Sequence, residues 1–288
     1  MSIRIVTDSA SDIDRNFAKE KKVAVVPLSV TYNTGETFKE DENFDFDKYY
    51  NNYSDPDFSV TTSQPSPKDF LNVYEQLKKE GAKEIIVITI SSGLSGTLNS
   101  AQLAAKMFLK IEKDIEIYFV DSLNASMPET FLVEEGLKLI DKGLSGKEIA
   151  EKLQNSTNEI TTLILLPTLY YLRKGGRISV AKYLLGRLLQ LKPITIVNEE
   201  GKNEVTATVR DYDEGLVKMI EIATQNYTRT PVEVAIVHTN SMERATKLQN
   251  LIKEKLGDIK IRIVRSGVTI SAHTGPKCVS LISKFFEF

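Results

Sequence analysis

The sequence predicts an α/β chain in two domains, residues 1–160 forming a mostly parallel α/β sandwich and residues 161–288 an α+β domain. Three observations carry this. Short β-branched runs alternate with helix-period segments through the first half, the pattern of parallel strands joined by crossover helices. The run Ile85-Ile86-Val87-Ile88 is apolar without alternation, as a strand covered on both faces requires. The 288 residues suit two domains of about 150 residues each.

Taken in order, Ile3–Thr7, Val23–Val30, Ile85–Ile90 and Ile115–Val120 read as strands of the first domain. Helices are expected over Lys68–Glu80, Thr97–Ile111, Pro128–Lys142 and Lys147–Gln154. The polar string Asn155-Ser156-Thr157-Asn158 then leads to the second domain. There the expected strands are Thr161–Leu166, Ile194–Val197, Val205–Val209, Val232–Val237 and Ile259–Val264, with helices over Asp211–Asn226 and Met242–Lys255. Glu199-Glu200-Gly201-Lys202 between two of these strands reads as the turn of a β-hairpin.

Composition narrows the function. Hydrophobic residues make up 41% and charged residues 26%, an ordinary globular mix that excludes disorder and fibrous scaffolds. Lys and Arg number 37 against 39 acids, so a nucleic-acid partner is not expected from overall charge. The lone Cys278 cannot form an internal disulfide, and the opening MSIRIVTDSAS lacks the apolar core of a signal peptide, so a cytoplasmic location is expected. The apolar run Thr162–Leu172 is far shorter than the roughly 20 residues of a spanning helix.

Several strings bear on chemistry. Ser91-Ser92-Gly93-Leu94-Ser95-Gly96-Thr97 follows a strand and opens a helix, where exposed amides and hydroxyls suit a phosphate or carboxylate; Ser95 also fits as a plain helix cap. The string is neither a nucleophile elbow, since Thr97 stands where glycine is needed, nor a phosphate-binding loop, since no lysine follows its glycine. The cluster Val60-Thr61-Thr62-Ser63-Gln64 before the cap Ser66 reads either as loop chemistry or as part of a site. Asp8 and Asp121 each follow a strand and fit either paired carboxylates or turn caps. His238 and His273 each end a strand-like run, and two histidines do not make a zinc site, so no metal is expected. Between Ile160 and Asn198 there is no acid, while Arg173, Lys174, Arg177, Lys182, Arg187 and Lys192 are basic. Cations interleaved with leucines over Ser179–Lys192 fit a membrane surface, an acidic partner or an internal helix with solvated charges.

Six strings in order across the chain resemble the DegV family of bacterial fatty-acid-binding proteins, which supply a fatty acid kinase. They are Ile5-Val6-Thr7-Asp8-Ser9-Ala10-Ser11-Asp12, Thr62-Ser63-Gln64-Pro65-Ser66, Ser91 to Thr97, Val120-Asp121-Ser122, Leu172-Arg173-Lys174-Gly175-Gly176-Arg177-Ile178-Ser179 and His273-Thr274-Gly275-Pro276. The resemblance implies a two-domain fold holding one long-chain fatty acid in a tunnel, its carboxyl group near the domain junction. It assigns the carboxyl hydrogen bonds to Thr62, Ser95 and His273, with Ser63, Gly96 and Thr274 lining the same place. It implies a carrier without cofactor, the kinase bringing ATP and magnesium. The basic residues Arg173, Lys174 and Arg177 would then touch the kinase or, transiently, the membrane surface. Two departures stand out: Lys277 occupies a position where relatives often carry glycine, and Pro128 and Thr130 follow Asp121-Ser122 where relatives are rich in glycine. Two other classes compete with the carrier. One is a serine-dependent acyl hydrolase using Ser95 and His273 with Asp8 or Asp121 as orienting acid, and the other a phosphate- or nucleotide-binding regulator built on Gly93–Thr97.

Overall fold

The computed structural model describes residues 2–52, 55, 58–178, 191–225, 227 and 229–288. Contacts divide the chain into two compact units, Met1–Phe46 with Ser59–Thr157 and Phe288, and Asp47–Phe58 with Asn158–Glu287. The strands are β1 (Ile3–Asp8), β2 (Ala24–Val26), β3 (Ser29–Tyr32), β4 (Thr37–Lys39), β5 (Val60–Ser63), β6 (Glu84–Thr89), β7 (Glu116–Asp121), β8 (Ile160–Leu165), β9 (Lys192–Val197), β10 (Asn203–Val209), β11 (Glu233–His238), β12 (Lys260–Arg265) and β13 (Val279–Lys284). The helices are α1 (Arg15–Glu20), α2 (Phe46–Asn52), α3 (Pro67–Lys79), α4 (Thr97–Phe108), α5 (Met127–Asp141), α6 (Gly146–Ser156), α7 (Tyr170–Lys174), α8 (Tyr212–Gln225), α9 (Met242–Leu256) and α10 (Val268–Thr274).

In the first unit a parallel sheet runs in the order β2-β1-β6-β7. Ile85 through Ile88 are fully buried, as the unalternating run requires. On one face Val6, Ile85 and Val87 pack with Phe70, Tyr74 and Leu77 of α3 and Ala101, Ala104 and Phe108 of α4. On the other face α5 closes on β1: a Cβ at Gly136 would stand 3.0 Å from Ile5 and 3.2 Å from Leu153 of α6, so a methyl there would push both side chains back by a few tenths of an ångström. The single strand expected over Val23–Val30 is instead two, because Pro27 has no amide to donate to a ladder. Its second half, β3, starts a separate antiparallel sheet ordered β4-β3-β5. Helix α4 stops at Phe108, short of Ile111, whose side chain is 82% exposed.

The second unit holds a six-stranded mixed sheet, β10-β9-β8-β13-β11-β12. Strands β9 and β10 form the expected hairpin, with an irregularity between Val205 and Ala207. The pair β11 and β12 is parallel, joined across α9, and the other neighbours are antiparallel. Helices α8 and α9 bury Leu216, Met219, Leu248 and Ile252 against Leu163, Ile194, Ile236 and Leu281 of the sheet. The segment from Asp47 joins this unit through two tyrosines. The Tyr49 hydroxyl is 2.9 Å from Ser271 Oγ, the Tyr50 hydroxyl donates to the Ser266 carbonyl at 2.8 Å, and Arg265 lies 4.4 Å over the Tyr50 ring. We propose residues 1–160 and 161–288 as the two domains of the chain. Among the described residues no helix is long and apolar enough to cross a membrane.

Candidate functional site

In the first unit, β5 pairs with β3 so that Thr62 faces Val30 and Ser63 faces Ser29. Alternation along the strand leaves Thr62 half-buried and turns the Ser63 side chain to the exposed face. Any part Ser63 takes in a site with Thr62 therefore falls to its backbone. The chain then leaves for α3, where Ser66 and Asp69 cap the helix reciprocally, as the local reading required.

The turn carrying Ser95 is held from both sides. Asp8, ending β1, accepts the Ile90 amide at 2.9 Å, and Asp121, ending β7, accepts the Ser92 amide at 3.1 Å. Both aspartates thus act as caps for the loop between them. Ser95 is not the helix cap: Gly96 occupies that position, no side chain caps α4, and the Ser95 hydroxyl lies 2.8 Å from that of Thr97. The leading amides of α4 keep the partial positive charge that suits an anion. Gln64, which the motif reading did not single out, fastens β5 to this turn. A Cβ at Gly96 would fall 2.2 Å from Gln64 Oε1, and Gln64 Nε2 donates to Ser100 Oγ at 3.0 Å. Its only sequence signal is an amide side chain inside a hydroxyl-rich turn. The end of β5 and the turn that carries Ser95 are thereby tied together through Gln64.

Asp8 has a second carboxyl beside it. Glu129, in the first turn of α5 and fully buried, accepts from Thr7 Oγ1 at 2.6 Å and from the Asp8 amide at 3.4 Å. Burial raises both carboxyls above their usual range, and the charge of Asp8 raises Glu129 further. The cap reading thus holds for Asp8 and Asp121, and the carboxyl that stands beside Asp8 is Glu129. Pro128 and Thr130 fit this corner: the proline occupies the first turn of α5, and the Thr130 hydroxyl donates to the Ser11 carbonyl at 2.8 Å.

In the second unit His273 sits half-buried on α10. Burial, then the charge of Arg177, lowers its imidazole to about 4, so it is neutral at pH 7. Thr274 is buried and donates to the Ile270 carbonyl at 3.2 Å. The other histidine is a turn clasp: His238 is buried at the end of β11 and accepts the Ser241 amide on Nδ1 at 3.0 Å. Lys277 adopts the left-handed backbone, φ 62°, so the lysine holds the conformation that glycine usually supplies. Its amide donates to the Thr239 carbonyl and its carbonyl accepts from Arg244, both at 2.8 Å, which fixes the turn. Cys278 is buried and its thiol is pushed up to about 12, so it is unreactive at neutral pH.

Of the basic residues, Arg173 and Lys174 are exposed, whereas Arg177 is half-buried and donates to the Gly175 carbonyl. Lys182, Arg187 and the leucines at 184, 185, 188 and 189 lie outside the described residues. A cleft of about 570 Å³ in this unit is lined by Tyr212, Asn240, Ser241, Arg244, Lys247 and Lys277 among others. Its charged walls do not suit an acyl chain. Among the described residues no group of acids, histidines and cysteines could hold a metal ion.

A family model described as an uncharacterised protein of the DegV family matches residues 2–284. The chain belongs to the DegV family. A DegV domain-containing protein of Staphylococcus aureus (strain MRSA252) is 32% identical over 279 residues, covering 96% of this chain and 97% of that one. A fatty acid binding DegV family protein of Streptococcus agalactiae superposes with a TM-score of 0.89 at 28% identity, covering all of both chains. A DegV lipid binding protein of Thermotoga maritima does so with a TM-score of 0.87 at 26% identity, again over the whole of both. The DegV fold thus accounts for the parallel sheet, the small antiparallel sheet and the six-stranded sheet together.

Proposed function

We propose that this protein encloses one long-chain fatty acid and presents its carboxyl group to a fatty acid kinase for acyl-phosphate formation. The observation that supports it most is the fatty acid binding named for the Streptococcus agalactiae protein, which this chain matches over its whole length. In this reading the hydroxyls of Thr62 and Ser95 and the imidazole of His273 supply the carboxyl hydrogen bonds. Gly96, Thr274 and the Ser63 backbone line the same group. The protein is a carrier without a cofactor of its own; the kinase brings ATP and magnesium, and a carboxylate oxygen accepts the phosphoryl group. A cytoplasmic location follows from a cytoplasmic kinase.

The energetics favour this division of labour. Burying some fourteen methylenes at about 0.8 kcal/mol each contributes roughly 11 kcal/mol before ordering costs. The chain therefore supplies affinity, and the head group opposes it, since an ionised carboxylate without partners is strongly disfavoured away from water. Hydroxyl and imidazole donors replace that hydration without a formal ion pair, leaving the carboxylate able to react. Replacing Thr62 and His273 together by alanine leaves the fold intact and lowers the retention of a long-chain fatty acid at least tenfold. Unchanged occupancy in that double variant removes these residues from the site.

A further inference from the structure

The turn after α7 and the helix carrying His273 meet at two glycines. A Cβ at Gly175 would lie 2.1 Å from His273 Nδ1 and 2.6 Å from its Cε1. No side chain fits there: contacts under 3 Å do not occur between such atoms, and the ring cannot yield without leaving its place. On the other side, a Cβ at Gly275 would lie 2.3 Å from the Tyr171 ring of α7, so the two elements are pressed together at both ends of the contact. Gly175 has an ordinary helical backbone, φ −76° and ψ −12°, so close approach and not backbone freedom accounts for glycine here. The Gly175 carbonyl accepts from the Arg177 guanidinium. One residue therefore touches the imidazole edge through its Cα and the arginine head through its oxygen.

We infer that Gly175 and Arg177 are positioning residues for His273. Gly175 seats the Nδ1–Cε1 edge of the ring against the turn, and the Arg177 charge keeps Nδ1 unprotonated, so the single ring proton sits on Nε2. This inference rests on the proposed carboxyl-binding role, for which Nε2–H is the nitrogen that donates to the ligand. A neutral imidazole carries one donor and one acceptor, and a fixed cation near one nitrogen decides which. The other groups around α10 are consistent with this. Tyr171 packs on Gly275 and Tyr49 bonds Ser271, burial raises the Tyr171 hydroxyl and the Cys278 thiol so that both stay neutral at pH 7, and Arg173 and Lys174 on α7 are exposed to water. The basic turn is thus part of the site's geometry as well as a surface.

Two measurements on the full-length chain test this without added fatty acid. The first is ¹⁵N NMR of the two imidazoles against pH, His238 serving as internal control. Expected is an Nε2–H tautomer for His273 and, in Arg177→Gln, an upward move of its titration midpoint by about one pH unit with His238 unmoved. A proton on Nδ1, or a His273 midpoint indifferent to Arg177→Gln, overturns the inference. The second is a double-mutant cycle read by urea unfolding. Gly175→Ala lowers the unfolding midpoint in the wild-type background and does so far less when His273→Ala has removed the ring; equal losses overturn the seating. Fatty-acid retention of His273→Ala, measured separately, distinguishes the readings. If retention is unchanged while the NMR and the cycle behave as stated, the carboxyl-binding role fails and the positioning stands.

Discussion

Replacing Glu129 by glutamine makes the protein less sensitive to rising pH. Glu129 and Asp8 are both fully buried, and Asp8 already accepts two backbone amides, from Ala10 and Ile90 at 2.9 Å, which favour its ionised form. Glu129 therefore carries the proton the pair shares. A carboxyl raised in the folded state contributes stability that is complete below its unfolded value, about 4, and is lost as pH rises through its folded value. For Asp8 that value is about 7, and Glu129, raised by burial and by the Asp8 charge, lies well above the usual carboxyl range, so wild type loses stability from about pH 4 up through neutral pH. One proton held only in the folded state costs about 1.4 kcal/mol per pH unit, so between pH 5 and pH 8 the Glu129 proton accounts for up to roughly 4 kcal/mol. Glutamine keeps the Oε1 acceptor for Thr7 and for the Asp8 amide but has no proton to lose. Lowered imidazoles at His238 and His273 act in the opposite direction, losing stability as pH falls through about 6.5, so the difference between the two proteins is the quantity to read. Urea unfolding at pH 5 and pH 8 measures it. Glu129→Gln should gain roughly 2–4 kcal/mol on wild type between those pH values. Parallel profiles refute the shared proton.

Three further outcomes follow from particular contacts. Gly96→Ala drives the Gln64 amide from its bond to Ser100; unfolding free energy should fall by only about 1–2 kcal/mol because the far end of a flexible side chain moves, while fatty-acid retention drops several-fold. A serine-reactive phosphonate should leave Ser95 unlabelled, since the flanking aspartates hold backbone amides and the hydroxyl pairs with Thr97; stoichiometric labelling seen by peptide mass would favour the hydrolase. Reversing charge at the exposed pair Arg173 and Lys174 should change stability by less than about 0.5 kcal/mol while slowing either kinase-coupled turnover or transfer from anionic vesicles, and if both rates persist neither contact exists.

The fold was legible where periodicity and burial agree. Ile85–Ile88 read as a doubly covered strand because no polar residue interrupts it, and the hairpin of β9 and β10 because a glycine-containing turn separates two β-branched runs. The missed elements lack such self-sufficient signals. Strand β5 is polar at three of its four positions and exists because β3 offers it a partner. Helix α2 is short and tyrosine-rich, and its burial depends on Ser266 and Ser271, more than two hundred residues later in the chain. Strand β13 is buried along its length between β8 and β11, yet Ser280, Ser283 and Lys284 disguise it as a surface segment.

The site divides the same way. Motif strings single out Thr62, Ser95 and His273 for the proposed carboxyl site, and the hydroxyl of Ser66 announced its cap. What the strings do not carry is which side chains share space. Gln64 against Gly96, Gly175 against His273 and Glu129 against Asp8 are contacts across 32, 98 and 121 positions, visible only once the sheets and helices are assembled.

Native mass spectrometry of the freshly purified full-length chain bears most directly on the carrier function. One noncovalent adduct per chain is expected, released on activation as a long-chain fatty acid and depleted when Thr62 and His273 are both alanine. A bare chain mass, both as purified and after incubation with long-chain fatty acids, contradicts it.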